Sequence, residues 1–166
     1  MIAEKGTKKR DIRLILDNIR SVHNVGSIFR TAETLGILKI YCLDTTPTPY
    51  DRFGNKRKDF AKVSLGAEDS IKCEHVEIGG ETALIKKLKK EDFSIISLEQ
   101  DKKSVDYKKI QAKTRIAIIV GNELNGISKS LLTLSDVIAE IPLQGKKESL
   151  NVAVSTGIFL YRLLDN

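Results

Sequence analysis

Cysteine and histidine are scarce in this sequence. It contains two of each in 166 residues. Cys42 and Cys73 do not form a CxxC pair, and two cysteines in a chain of this size make no disulfide framework. His23 and His75 lack partners at the spacing of metal ligands. We therefore expect the cysteines to be small buried apolar residues without a redox role, and we predict no metal site.

Long apolar runs are also missing. No apolar run approaches the roughly 20 residues that a membrane-spanning helix needs, and the charges of the first segment, MIAEKGTKKRD, are not followed by the apolar core of a signal peptide. These absences predict a soluble, cytoplasmic protein without a membrane partner. The length is that of one domain with a proper core. We assign residues 1–166 to one domain and predict that residues 1–10 form a flexible basic tail.

The charge balance is only moderately basic. The sequence has 28 Lys and Arg against 22 Asp and Glu, which gives a net charge of +6. Such an excess permits a polyanionic partner, but it also fits an ordinary solvated surface. Charge by itself therefore leaves nucleic-acid binding open.

Short apolar segments rich in β-branched residues alternate with segments of helical spacing. The helical segments are GSIFRTAETLG, ETALIKKLKKE and SLNVAVSTGIFLYRLL. The predicted strands are IRLILD (12–17), LKIYCL (38–43), FSIISL (93–98), RIAIIV (115–120) and DVIAEI (136–141). This alternation predicts an α/β fold with a parallel sheet flanked by helices. Two of the three prolines fall within residues 45–59, which predicts an exposed loop there.

Three polar stretches directly follow predicted strands. They are DNIRSVHNVGSIFR, GNELNGIS and PLQGKKESLN, and each combines Gly or Asn with polar side chains that open a helix. In parallel α/β sheets the ligand binds at the carboxyl ends of the strands. We therefore expect the functional residues in these three stretches.

The stretch GNELNGIS, taken alone, is open to other interpretations. Gly121 and Gly126 have the five-residue offset of a phosphate-binding P-loop, but Ile127 stands where that loop requires Lys. This difference argues against nucleoside triphosphate hydrolysis, and the absence of GxGxxG weakens a nicotinamide-binding interpretation. A tight turn with a solvated Glu123 is the plain structural alternative.

Taken together and in order, the three stretches resemble the sequence motifs of the SpoU-type (TrmH-like) RNA ribose 2′-O-methyltransferases of the SPOUT superfamily. The similarity covers nearly the whole chain, and three motifs in the right order are far more specific than one. The residues that match the motifs are Asn24, Gly26, Arg30, Glu123, Ser149, Leu150 and Asn151.

The resemblance implies a fold and a cofactor that residue patterns alone do not give. It implies a deep trefoil knot at the C-terminal end, which general topology rules would have excluded. It also implies S-adenosylmethionine as the cofactor, bound in the knot largely by backbone groups of Leu98, Gly121, Ile141 and Leu150. The three apolar side chains of this set are equally well interpreted as core.

The resemblance further implies methyl transfer to a ribose 2′-hydroxyl of tRNA or rRNA. The implied catalytic residues are Arg30, Asn24, Glu123, Ser149 and Asn151. We interpret Arg30 as a cation that clamps a substrate phosphate, because a guanidinium stays protonated at neutral pH, and we leave the proton to Ser149 or to that phosphate. Without the motifs, Arg30 would be a solvated helix residue and Asn151 a helix cap.

Substrate RNA needs a surface that faces phosphates. The basic residues that we predict to contact RNA are Arg52, Lys56, Arg57 and Lys58 in the loop DRFGNKRKD, together with Lys146 and Lys147. Basic residues beside an aromatic residue such as Phe53 suit looped RNA, although a charge run is also typical of a solvated loop.

The resemblance also implies a homodimer whose active site draws on both subunits. The candidate interface is the apolar face of the last helix, which is equally open to interpretation as core. Its residues are Val152, Val154, Ile158, Phe159 and Leu163. Two other functions remain open at this point: a catalytically silent RNA-binding or ribosome-assembly protein on the same fold, and an enzyme of this superfamily that methylates a base nitrogen.

Overall fold

A computed structural model describes residues 10–165, which form a seven-stranded parallel sheet with helices on both faces. The strands are β1 (Asp11–Asp17), β2 (Lys39–Leu43), β3 (Lys72–Val76), β4 (Ser94–Leu98), β5 (Val105–Asp106), β6 (Arg115–Gly121) and β7 (Val137–Glu140). Their order across the sheet is β3-β2-β1-β6-β4-β7-β5, with β1 and β6 at its centre. The predicted tail lies outside the described residues except for Arg10, whose Nη1 donates to the Leu163 carbonyl (3.3 Å).

Within the described residues, six α-helices connect and flank the strands. They are α1 (Val22–Thr34), α2 (Lys58–Ser64), α3 (Ala67–Ser70), α4 (Glu81–Lys90), α5 (Lys129–Leu134) and α6 (Val152–Leu164), and a short 3-10 helix covers Tyr107–Lys109. Within residues 10–165 no helix is both long and apolar enough to cross a membrane.

The sheet separates two apolar cores. On one face Leu14 and Leu16 of β1 pack with α1, α2 and α6, where Phe29 and Phe60 meet edge to face (5.1 Å between ring centroids). On the other face Ile15 packs with the apolar sides of α4 and α5. Successive strand residues point to opposite faces, and both faces are covered, so the central strands are apolar at almost every position.

The predicted parallel α/β architecture and its five predicted strands are confirmed. The sequence patterns missed β3, whose residues KCEHV lie at a sheet edge and are mostly polar, and β5, which has two residues. They also missed the short helices α2, α3 and α5. The trefoil knot stays a prediction of the family resemblance.

Helix α1 begins four residues earlier than the pattern GSIFRTAETLG predicts. It starts at Val22, because the Ser21 hydroxyl caps the helix and accepts a hydrogen bond from the Asn24 backbone N–H (3.2 Å). Asn24 therefore lies in the first turn of α1 and not in a turn before it.

Cys42 and Cys73 are neighbours on adjacent strands, which their separation in the sequence did not indicate. Their Sγ atoms lie 3.6 Å apart. The hydrogen bond to Cys73 and the complete burial of Cys42 both raise the pKa of the Cys42 thiol, which keeps it protonated and unreactive. For Cys42 this environment agrees with the expectation of a small buried residue.

Candidate active site

A cavity of about 440 Å³ opens at the carboxyl ends of β4, β6 and β7. It includes all four residues that the resemblance implies for the cofactor pocket, Leu98, Gly121, Ile141 and Leu150. The other lining residues that matter below are Glu99, Gln100, Asn122, Glu123, Gly126, Glu140, Glu148 and Ser149. The cavity therefore lies where a parallel sheet is expected to bind its ligand, and residues of the second and third motifs line it.

Two glycines shape the turn that forms one wall of this cavity. The backbones of Asn122 and Gly126 pair across the turn, with N···O distances of 3.2 and 2.9 Å. A Cβ on Gly121 would lie 2.5 Å from the carbonyl carbon of Gly126, and Gly126 has a φ of +69°. Backbone proximity and backbone conformation, rather than a phosphate, therefore explain the glycine spacing of GNELNGIS.

Buried polar side chains hold this turn in place. Asn122 donates to the Asn18 carbonyl (2.7 Å), and its Oδ1 accepts from the Leu124 N–H (2.8 Å). Buried Asp17 accepts from the Ser128 N–H (2.7 Å). Sequence reasoning missed Asp17 and Asn122 as positioning residues. Their place at or next to the carboxyl ends of β1 and β6 was the available signal.

One residue from each of the three motifs joins a chain of hydrogen bonds at the mouth of the cavity. The Asn24 side chain donates to Glu123 Oε1 (2.7 Å) and accepts from Asn151 Nδ2 (3.0 Å). Asn151 also caps α6, since its Oδ1 accepts from the Ala153 N–H (2.9 Å). Asn151 is thus both a helix cap and a member of the polar chain, and Glu123 has a partner despite its exposure.

The segment before α6 carries the remaining residues of the third motif. Ser149 is exposed and lines the cavity, close in sequence to the polar chain at Asn151. Lys146 and Lys147 are exposed on the same segment. Of these three residues, Ser149 is the one that lines the cavity, and the two lysines precede it on the same exposed segment.

Arg30 is not brought together with Asn24 within one chain. Arg30 lies six positions after Asn24 on α1, which corresponds to about 600° of rotation and leaves the two side chains roughly 120° apart. Arg30 is exposed on another side of the helix from Asn24, so the two side chains do not face the same cleft within one chain. Gly26 of the same motif has a packing role, because a Cβ there would lie 2.9 Å from the Val63 Cβ of α2.

The basic loop before α2 is held by ion pairs. Lys56 Nζ lies 2.8 Å from carboxylate oxygens of both Glu68 and Asp69 in α3, and Arg57 pairs with Asp59 (2.8 Å). Burial raises the pKa of Glu68, but the hydrogen bonds from Lys56 and Ser64 outweigh it and lower the pKa to about 2. Lys56 therefore anchors the loop, a role that the composition of the loop did not reveal.

The other basic residues of the loop are more accessible. Lys58 is exposed, and the Arg52 guanidinium lies over the Phe53 ring, 4.7 Å from its centroid. Phe53 itself is 74% exposed. Arg52 and Phe53 together present a flat cationic and aromatic surface that is suited to stacking against an RNA base.

A second, more open groove runs between α1 and α6. It includes Asn24 and Asn151 of the polar chain, and its apolar part consists of Val154, Ile158 and Tyr161, which are 51%, 39% and 49% exposed. The remaining residues of the predicted apolar face, Val152, Phe159 and Leu163, are buried in the core. The last helix therefore divides its apolar residues between core and surface.

The chain matches a family model and several known proteins over most of its length. The family model described as "SpoU rRNA Methylase family" matches residues 11–161. A tRNA (guanosine(18)-2'-O)-methyltransferase of Aquifex aeolicus is 30% identical over 154 residues, which cover 93% of this chain and 69% of that protein. An uncharacterized tRNA/rRNA methyltransferase of Archaeoglobus fulgidus is 32% identical over 162 residues, with 98% and 68% of the two chains covered.

Solved structures show the same fold. The crystal structure of the A. aeolicus TrmH/SpoU tRNA modifying enzyme matches with a TM-score of 0.79 and 29% identity, over 95% of this chain and 76% of that one. The AdoMet-bound rRNA methyltransferase of Sinorhizobium meliloti matches with a TM-score of 0.83 and 24% identity, over 95% and 57% of the two chains.

Proposed function

The chain belongs to the SpoU rRNA methylase family, and on this basis we propose that it transfers the methyl group of S-adenosylmethionine to a ribose 2′-hydroxyl of tRNA or rRNA. The observation that carries the proposal is the convergence of all three motifs at the carboxyl ends of β4, β6 and β7. There the chain Glu123–Asn24–Asn151 borders the cavity that Gly121 and Leu150 line.

The cavity has the size and the lining that the cofactor requires. Its volume of about 440 Å³ lies within the roughly 300–1,000 Å³ of small-molecule sites. The Gly121 turn leaves backbone groups accessible at its wall, while Leu98, Ile141 and Leu150 supply apolar surface for a purine ring. When bound, S-adenosylmethionine supplies a methyl group that is already electrophilic, so the protein has to align the acceptor and accept its proton.

The polar chain is suited to orient the ribose. Asn24 and Asn151 are held by their mutual hydrogen bond, and Glu123 fixes the Asn24 amide from the other side (2.7 Å). Such a preorganised set holds a ribose hydroxyl without reorganising during the reaction. The hydroxyl proton then passes to Ser149 or to a phosphate of the substrate.

Arg30 enters this proposal as a cation from a second copy of the chain. It lies one turn after Ser27, which lines the groove between α1 and α6, and that groove also contains Asn24 and Asn151. A second copy seated on the groove would cover Ile158 and Tyr161 and bring its own Arg30 beside the polar chain of the first. We therefore propose a homodimer in which Arg30 of each subunit completes the active site of the other. We also propose that the protein acts in the cytoplasm.

Ligand binding tests the proposed cofactor. By calorimetry we expect S-adenosylmethionine to bind with a Kd on the order of micromolar and ATP to bind much more weakly, because Ile127 replaces the phosphate-binding Lys of a P-loop. Preferential binding of ATP would contradict the methyltransferase proposal.

Nucleoside mass spectrometry separates the proposed reaction from its two alternatives. Total RNA from a deletion strain should lack a ribose-methylated nucleoside that the parent strain contains. Loss of a base-methylated nucleoside would instead select base-nitrogen methylation. Cofactor binding with no lost modification would select the silent RNA-binding or ribosome-assembly protein.

A further inference from the structure

We propose that Glu99 is a positioning residue that fixes the cofactor cavity by joining three of its walls, and this inference rests on the proposed function. Glu99 directly follows β4 at the carboxyl edge of the sheet. It lies outside all three sequence motifs. Its part in the reaction is indirect, through the shape of the turn that the cofactor meets.

The contacts of Glu99 reach each neighbouring wall. Its backbone N–H donates to the Ala139 carbonyl at the end of β7 (2.9 Å). Its Oε2 accepts from the Ile127 N–H of the glycine turn (2.9 Å), and its Oε1 accepts from the Gln100 N–H (2.9 Å). One residue thereby connects the ends of β4 and β7 with the turn that follows β6.

The turn that follows β6 depends on the Glu99 carboxylate, which accepts the hydrogen bond of the Ile127 N–H. Ile127 is buried, so its N–H has little access to water as a replacement acceptor. Gly126 lies directly against the carboxylate, since a Cβ added there would overlap Glu99 Oε2. Without Glu99 the Gly121–Gly126 wall loses its lateral support, and the cavity becomes less well defined.

The reach of the side chain, rather than its charge, is the property that matters in this proposal. Glu99→Gln keeps the length of the side chain and an oxygen that can accept from the Ile127 N–H. Glu99→Asp keeps the charge but shortens the side chain by one methylene, so it no longer reaches Ile127. The two variants therefore separate positioning from electrostatic attraction of a cationic cofactor.

The experiment measures S-adenosylmethionine affinity by calorimetry and methylation kinetics of the full chain at saturating RNA. We expect Glu99→Asp to raise the cofactor Kd and KM about tenfold, which corresponds to roughly 1.4 kcal/mol. We expect Glu99→Gln to remain within about threefold of the unchanged protein. In both variants the RNA affinity should be unaltered, and kcat at saturating cofactor should change less than the cofactor KM.

Asp101→Asn is the matched control, because Asp101 is an exposed carboxylate in the same connection whose partner is the Lys103 N–H (2.8 Å). It should leave the cofactor affinity unchanged. Loss of affinity in Glu99→Gln with retention in Glu99→Asp would overturn positioning in favour of charge. Unchanged affinity in both variants, or an equal loss of cofactor and RNA binding, would also overturn it. Failure of the unchanged protein to bind S-adenosylmethionine is a separate result that removes the proposed function itself.

Discussion

At the scale of single residues, the two motif asparagines combine structural and functional roles. Asn151 caps α6 through the Ala153 N–H and at the same time donates to Asn24. A capped helix end is rigid, so the amide that points away from the helix is held at a defined position. The structural and the functional interpretation of Asn151 are therefore compatible.

Substitutions of Arg30 can distinguish a role in methyl transfer from an ordinary position on the helix surface. We expect Arg30→Ala to bind S-adenosylmethionine normally, because Arg30 is not among the described residues that line the cavity. Methyl transfer should fall about a hundredfold to a thousandfold, the usual effect of losing one charged partner of the transition state. Arg30→Lys should recover little activity, since an ammonium lacks the planar fork that grips a phosphate at two points.

The rate of single-turnover methylation at saturating RNA tests this prediction. Lys62→Ala, which removes an exposed cation from α2, is the control and should react at the normal rate. A near-normal rate in Arg30→Ala would return Arg30 to an ordinary helix surface.

At the scale of structural elements, ion pairs in the loop before α2 reduce the number of basic residues that are available to contact RNA. Lys56 is bound to Glu68 and Asp69, so its charge is already compensated by α3. The cations that remain more accessible to a polyanion are Arg52 and Lys58. The loop DRFGNKRKD is therefore both a structural connection and a candidate contact surface.

The double variant Arg52→Ala, Lys58→Ala tests RNA contact by this loop. We expect weaker RNA binding and a lower dependence on salt, by a slope of up to about 0.7 for each lost contact with single-stranded RNA. Salt titrations of RNA affinity measure it, and cofactor affinity should stay constant. An unchanged slope would mean that the loop is only solvated.

Lys56→Ala serves as the contrasting variant for this experiment. It leaves the buried Glu68 carboxylate without its cation, so it should lower the melting temperature more than the double variant does. Comparing melting temperatures therefore distinguishes loss of RNA contact from loss of loop structure.

At the scale of the whole molecule, a single chain exposes an apolar groove beside the polar chain. Val154, Ile158 and Tyr161 are between 39% and 51% exposed next to Asn24 and Asn151. A second copy of the chain would bury this surface and place another subunit against the active site. The dimer and the completed active site are therefore one proposal.

Ile158→Glu tests the interface, because it places a charge in the middle of the apolar groove without entering the core. We expect a folded monomer that binds the cofactor but methylates RNA at least tenfold more slowly. Sedimentation velocity and calorimetry measure the two properties. A dimer that survives Ile158→Glu would place the interface elsewhere.

Mixed dimers then test whether Arg30 acts across the interface. Arg30→Ala and Asn151→Ala are each expected to be inactive alone, but a mixture that exchanges subunits should regain activity in one of its two sites. No recovery after subunit exchange would contradict a contribution of Arg30 from the partner subunit.

The sequence by itself determined the architecture and the family of this protein. Strands buried on both faces leave almost continuous apolar runs, as in RIAIIV, and these runs can be recognised without a structure. The family resemblance that three ordered motifs support then implied four residues that line the cavity, Leu98, Gly121, Ile141 and Leu150. Local pattern was sufficient where the physical cause, burial or a glycine-dependent turn, is itself local.

The tertiary structure alone decided which side chains meet. Glu99 holds Ile127, Lys56 pairs with Glu68, and Cys42 contacts Cys73. It also decided that Arg30 and Asn24 diverge on α1 and that Val154, Ile158 and Tyr161 of α6 remain exposed at the surface. These contacts join residues far apart in the chain, and their geometry depends on how strands and helices pack, which no periodicity in the sequence encodes.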